Sequence, residues 1–151
     1  MPFAHEVDGY GNEIFMDDAN IPSLLSLPYL GYVAVADEAY QVTRRGVLSA
    51  AHNPYFFNGT VAQGVGSPHT GLGNVWYMSI IMQALTSTDD GEVKRCLDML
   101  KRAAAPTGFM HESFSKDNAA VFTRQWFSWA NSLFGELIMT LAESKPHLLS
   151  L

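Results

Sequence analysis

The feature that most constrains this chain is the run from Asn74 to Ala104, where an apolar segment is followed directly by an amphipathic one. Trp76, Tyr77, Met78, Ile80, Ile81, Met82 and Leu85 surround the first segment almost completely, which predicts a helix capped by Asn74, ending near Thr86 and buried on most sides. Asp89-Asp90 then opens a helix in which Val93, Cys96, Leu97, Leu100 and Ala104 recur at helical spacing. Glu92, Lys94, Arg95, Asp98, Lys101 and Arg102 take its solvent face, and Pro106 and Gly108 end it. A helix that is apolar all round needs neighbours on every side, so the remaining chain is expected to wrap it.

Residues 5 to 20 read as an irregular polar loop, with Asp8-Gly9 and Gly11-Asn12 as turn formers. A helix is expected from Asn20, with Pro22 in an early position and Leu24, Leu25 and Leu27 on its apolar face, ending or kinking at Pro28. Asp37 offers a second N-cap, for a helix to about Ser49. Turn residues mark a long loop from Ala50 to Gly73, in which Tyr55-Phe56-Phe57 could add a short strand; loops of this length commonly build a site. A further loop spans Phe109 to Phe122, and Thr123 leads into a last helix through about Glu143. There Phe127, Trp129, Leu133, Phe134, Leu137 and Leu141 read as mostly buried. With no sustained β alternation and no internal repeat, the fold class read here is all-α, helical hairpins packed in layers with their loops gathered at one end.

Composition narrows the function classes. A chain of 151 residues with 48% hydrophobic and 12% aromatic residues has the means to build one domain with a substantial core. Its net charge of -6, with nine basic residues and none in runs, argues against nucleic acid as a partner. The single cysteine, Cys96, excludes an internal disulfide framework and a Cys-based zinc site, and its helical context suggests a buried small residue. The N-terminal residues show no basic segment leading into an apolar one, so no secretory signal is visible, and no stretch approaches a membrane span. Asn58-Gly59-Thr60 matches the short N-glycosylation pattern, which is frequent by chance.

The chemistry concentrates in Phe109-Met110-His111-Glu112-Ser113-Phe114, where a carboxylate and an imidazole stand side by side among apolar residues. A carboxyl packed against aromatic and thioether groups loses hydration, which suits it to proton transfer, as acid or as base. Asp8, Asp17, Asp18, His69 and His111 also fall in loops, interleaved with Tyr10, Phe15, Phe109, Phe114 and Trp126, the lining of a carbohydrate cleft. Sugars offer flat C–H faces to aromatic rings and hydroxyls to carboxylates, amides and imidazoles. Against this stand plainer readings: Asp17 and Asp18 as helix caps, His69 as a turn histidine, Trp126 and Trp129 as core. The glycine-rich stretch around His69 matches neither phosphate-loop nor dinucleotide fingerprints. No H-E-x-x-H spacing is present, and no G-x-S-x-G elbow surrounds Ser67 or Ser113, so neither metal nor cofactor is expected.

Several ordered blocks carry a family resemblance: Glu6-Val-Asp-Gly-Tyr-Gly-Asn, Met16-Asp-Asp-Ala-Asn-Ile-Pro-Ser-Leu-Leu-Ser, Gly66-Ser-Pro-His-Thr, Gly108-Phe-Met-His-Glu-Ser-Phe and Thr123-Arg-Gln-Trp-Phe-Ser-Trp-Ala-Asn-Ser-Leu-Phe-Gly-Glu. Over nearly its whole length the chain resembles glycoside hydrolase family 125, the metal-independent exo-α-1,6-mannosidases. The resemblance implies an (α/α)6 barrel, of which residues 1–151 would form an incomplete, C-terminal part of one glycosidase domain. It implies inverting release of terminal α-1,6-linked mannose from a mannose-containing oligosaccharide or N-glycan, without cofactor. Glu112 would be the general base; Asp17, Asp18, Asn20, His69, His111 and Trp126 would bind or orient the sugar. The family's general acid would lie upstream of these residues, so the chain alone is expected to be inactive, with apolar helix faces uncovered and prone to aggregate. Two alternatives stand beside it: another (α/α)-barrel glycosidase or lyase, and a non-catalytic carbohydrate-binding remnant.

Overall fold

The computed structural model describes residues 1–104 and 107–149. Among them four α-helices alternate with short strands in three antiparallel sheets. A small ribbon of β1 (Glu6–Val7) and β2 (Glu13–Ile14) is followed by turns and by α1 (Glu38–Val47). A hairpin of β3 (Phe56–Asn58) and β4 (Gln63–Val65) comes next, then β5 (Asn74–Trp76), α2 (Tyr77–Leu85) and α3 (Asp90–Ala104). The hairpin of β6 (Ser113–Ser115) and β7 (Asn118–Thr123) joins β5 in a three-stranded sheet ordered β5-β6-β7, before α4 (Ser128–Ser144) closes the chain.

This architecture overturns the all-α expectation, and with it the incomplete (α/α)6 barrel. Six of the seven strands have only two or three residues, too few for period-two alternation to register in sequence, and β7, with six, runs through Ala119, Ala120, Val121 and Phe122 without alternating. Val75 lies opposite Phe114, and Phe114 opposite Phe122, so the sheet is held by apolar cross-strand pairs. The presumed loop from Phe109 to Phe122 is thus largely a hairpin. Asn74 starts a strand instead of capping a helix, and its side-chain amide donates to Thr70 O at 2.6 Å.

Nor does the helix expected from Asn20 form; turns run through Leu25–Gly31 instead. Local side-chain bonds win there: the Ser23 amide donates to Ser26 Oγ, the Ser26 amide to Ser23 Oγ, and Asp17 takes the amides of Leu24 and Leu25. Asp37, by contrast, caps α1 by accepting the Tyr40 amide at 2.9 Å, and α3 keeps its solvent face. The expected stop at Pro106 lies outside the described residues.

The core centres on α2, which packs against both α3 and α4 and buries every residue from Tyr77 to Ala84. Cys96 is buried too, and burial pushes its thiol up to about 12, which leaves it inert at neutral pH. α4 is an outer layer: Ala130, Leu133, Leu137 and Leu141 face inward, while Met139 is 65% exposed, so the expectation of near-complete burial fails. The total accessible surface is 7832 Å². A folded monomer of this mass exposes about 7,600 Å², so the chain's total surface shows no large excess.

Candidate active site

One end of the three-stranded sheet gathers the polar side chains singled out in the sequence. Glu112 immediately precedes β6 and Arg124 immediately follows β7. Continuing the register of Ser113 opposite Thr123 by one step sets these two residues across from each other. Glu112 is 4% exposed, and its Oε1 is ion-paired with the Arg124 guanidinium, whose Nε lies 2.8 Å away. His69 Nε2 lies 3.7 Å from the same oxygen. Glu112 Oε2 takes part in no ion pair with a described residue.

His69 arrives through a single 3-10 turn, Pro68–Thr70, that Ser67 opens. Ser67 Oγ accepts the His69 amide at 3.1 Å and the Asn20 side-chain amide at 3.3 Å, and donates to Asp18 Oδ2 at 3.1 Å. Asp18 Oδ1 takes both the backbone and the side-chain N–H of Asn20, each at 2.9 Å. A polar row therefore runs from Asp18 and Asn20 through Ser67 to His69 and Glu112. Gly66 makes the approach possible: a Cβ there would run into Asn74 O and the ring of Phe57, and its own carbonyl accepts the Ala19 amide at 3.0 Å.

The structure separates the other expected site residues from this row. Asp17 is 1% exposed, and its oxygens accept the amides of Leu24 at 2.9 Å and Leu25 at 3.0 Å, with His5 Nδ1 3.5 Å away. It holds a turn in place. His111 is equally buried, with Nδ1 2.9 Å from Gln125 O and Nε2 2.8 Å from Thr107 Oγ1, and its ring stacks on Phe122 at 3.7 Å. Trp126 is 69% exposed and stands edge-on to Phe109 with centroids 4.7 Å apart, an aromatic ledge two residues beyond Arg124.

Phe109, named in the aromatic lining, and Ser67, weighed only as a nucleophile, complete the arrangement together with Arg124, which was not singled out from sequence. Arg124 became visible only with the β6–β7 hairpin, because it is the cross-strand partner of Glu112. No three His, Cys, Asp or Glu side chains gather to hold a metal ion among the described residues, and no described helix is long and apolar enough to cross a membrane.

Comparison with known proteins identifies the family. Residues 2–139 match the model of the metal-independent alpha-mannosidase family GH125. The chain is 59% identical over 147 residues to the meiotically up-regulated gene 157 protein of Schizosaccharomyces pombe, covering 97% of this chain and 29% of that protein. Among solved structures it resembles a metal-independent alpha mannosidase of Streptococcus pneumoniae, in a non-productive substrate complex with alpha-1,6-mannobiose. The TM-score is 0.88 at 50% identity, over 91% of this chain and 32% of that one. The chain thus spans about a third of the length of these relatives. On a family match that runs through nearly all of its residues, this chain belongs to the GH125 metal-independent alpha-mannosidases.

Proposed function

We propose that this chain supplies the general base and part of the sugar-binding wall of an exo-α-1,6-mannosidase that acts with inversion on mannose-containing oligosaccharides or N-glycans. The observation that carries this proposal is Glu112, a buried carboxylate with one oxygen held by Arg124 and the other in no ion pair with a described residue. The complex of the Streptococcus pneumoniae relative with alpha-1,6-mannobiose supports the choice of sugar and linkage.

In an inverting reaction Glu112 Oε2 takes a proton from water as the water oxygen bonds to the anomeric carbon. The glycosidic C–O bond breaks at the opposite side, and a general acid protonates the leaving oxygen. The two carboxyl groups must stand about 6.5–9.5 Å apart to leave room for that water. The acid would come from outside residues 1–151, as the family resemblance implies. Asp18, Asn20 and His69 would receive the hydroxyls of the terminal mannose, whose C–H face would lie against the Trp126–Phe109 ledge. Asp17 and His111 would shape these loops from below, since both are buried with their polar atoms engaged by protein, whereas Asp18 and Asn20 are partly exposed.

The test is a chimera in which this chain replaces the corresponding segment of the Streptococcus pneumoniae enzyme. The chimera is expected to release β-mannose from α-1,6-mannobiose, followed by NMR of the anomeric proton, and Glu112→Gln is expected to lower kcat at least about a thousandfold. A folded chimera that binds mannose without turnover would instead favour the carbohydrate-binding reading, and undiminished turnover in Glu112→Gln would remove Glu112 from the chemistry.

A further inference from the structure

Arg124 is the sole non-glycine residue with a positive φ, 47°, among the described residues. An arginine gains nothing intrinsic from the left-handed region; holding it there costs about 1 kcal/mol or more and requires surrounding contacts that fix the turn. Those contacts are on the next residue. Gln125 O is 2.9 Å from His111 Nδ1, and a carbonyl only accepts, so Nδ1 carries the hydrogen. In the neutral ring Nε2 is then left to accept, and Thr107 Oγ1 stands 2.8 Å away as its partner. Ala104 O, the other acceptor within reach of that hydroxyl, already takes the amides of Thr107 and Gly108 at 2.9 and 2.7 Å.

The imidazole itself has little freedom. One face stacks on Phe122 at 3.7 Å and 7°, and Tyr77 meets it at a steep angle with centroids 6.0 Å apart. His111 is thus a rigid post rising from the strand side of Glu112 and gripping the opposite strand one residue past Arg124. The last backbone bond of this ladder runs from the Glu112 amide to Thr123 O at 3.3 Å, and the His111 ring holds the chain beyond it.

We propose that Thr107, His111 and the Gln125 carbonyl form a clamp that locks the Arg124 turn in its left-handed form, and so aims the guanidinium at Glu112 Oε1 and leaves Oε2 for the water. His111 and Thr107 are positioning residues acting through Arg124. The proposal rests on Glu112 being the base, and it moves His111 from sugar contact to support.

The experiment follows the Arg124 Nε–H resonance of the intact 151-residue chain by NMR, reading its exchange with solvent. His111→Phe keeps a ring to stack on Phe122 and removes both nitrogens; it is expected to speed that exchange about five- to tenfold, the worth of one lost hydrogen bond. His111→Asn, whose side-chain amide can still donate toward Gln125 O, is expected to restore most of the protection. Thr107→Val removes only the outer hydroxyl and serves as a milder probe should the ring exchange prevent folding. The amides of β6 and the Tyr77 hydroxyl, bonded to Ala103 O, report that the fold is intact. Unchanged Arg124 exchange in both His111→Phe and Thr107→Val overturns the clamp, as does equal loss in His111→Phe and His111→Asn. Because this readout needs no turnover, an inactive chimera with a protected Arg124 Nε–H counts against the proposed function and not against the clamp. In an active chimera, Thr107→Val is expected to lower kcat with KM little changed.

Discussion

Asp17 and Glu112 are the two buried carboxylates among the described residues, and they are buried to nearly the same degree. Their surroundings differ. Asp17 is saturated by the amides of Leu24 and Leu25 with His5 at its side, all of them parts of the fold that it fixes. Glu112 is held through one oxygen, by an arginine that is itself largely solvated, with a histidine nearby. Burial by itself therefore does not mark a reactive carboxylate; what matters is whether its hydrogen-bonding capacity is already spent on backbone. Asp17 maintains a turn, whereas Glu112 keeps an oxygen for a ligand.

The largest expected effect breaks the structural member of this pair. Asp17→Ala would leave the Leu24 and Leu25 amides without their acceptor in a buried setting, and is expected to cost about 2–5 kcal/mol of unfolding free energy in chemical denaturation. A loss below about 1 kcal/mol would mean that water or another group satisfies those amides, and the contrast with Glu112 would collapse.

Glu112→Gln probes the other member and should behave oppositely. The amide oxygen can still face Arg124, and the ion pair it replaces has one solvated end, so the stability change is expected to stay within about 1 kcal/mol. The same substitution removes turnover in the chimera. Should thermal or denaturant unfolding of Glu112→Gln instead match Asp17→Ala, Glu112 would be a second structural carboxylate.

These two residues also differ in how far sequence could reveal them. The Asp17 role followed a general rule, that an aspartate before a turn captures nearby amides, although the segment it caps proved to be a set of turns instead of a helix. Glu112 was legible as a candidate from its neighbours, yet its partner was not, since Arg124 meets it only through a hairpin whose first strand is three residues long. Helices α1 and α3 were readable because Asp37 supplies a cap and α3 carries a clear polar face. α4 was misread for the opposite reason. Its Trp129 and Met139 are apolar, but which side of it receives cover depends on α2 lying within and nothing described lying without.

The smallest expected effect comes from pH and sharpens the comparison through His5. The hydrogen bond to Asp17 raises the His5 pKa above its ordinary 6.5, opposed by partial burial and aided by the charges of Asp17, Glu6 and Asp18. A histidine whose pKa is higher folded than unfolded contributes stability that is fully present below 6.5 and is lost as pH rises through the folded value. Exchange of the Leu24 and Leu25 amides is therefore expected to quicken as pH climbs above 6.5, beyond the intrinsic base-catalysed rise, by an amount equivalent to less than about 1 kcal/mol once solvent screening is allowed for. In His5→Gln this extra dependence should vanish. If His5→Gln changes exchange at the Arg124 turn as well as at the Leu24–Leu25 turn, the two carboxylates share one cooperative unit and are not the independent devices, one structural and one reactive, that their contacts describe.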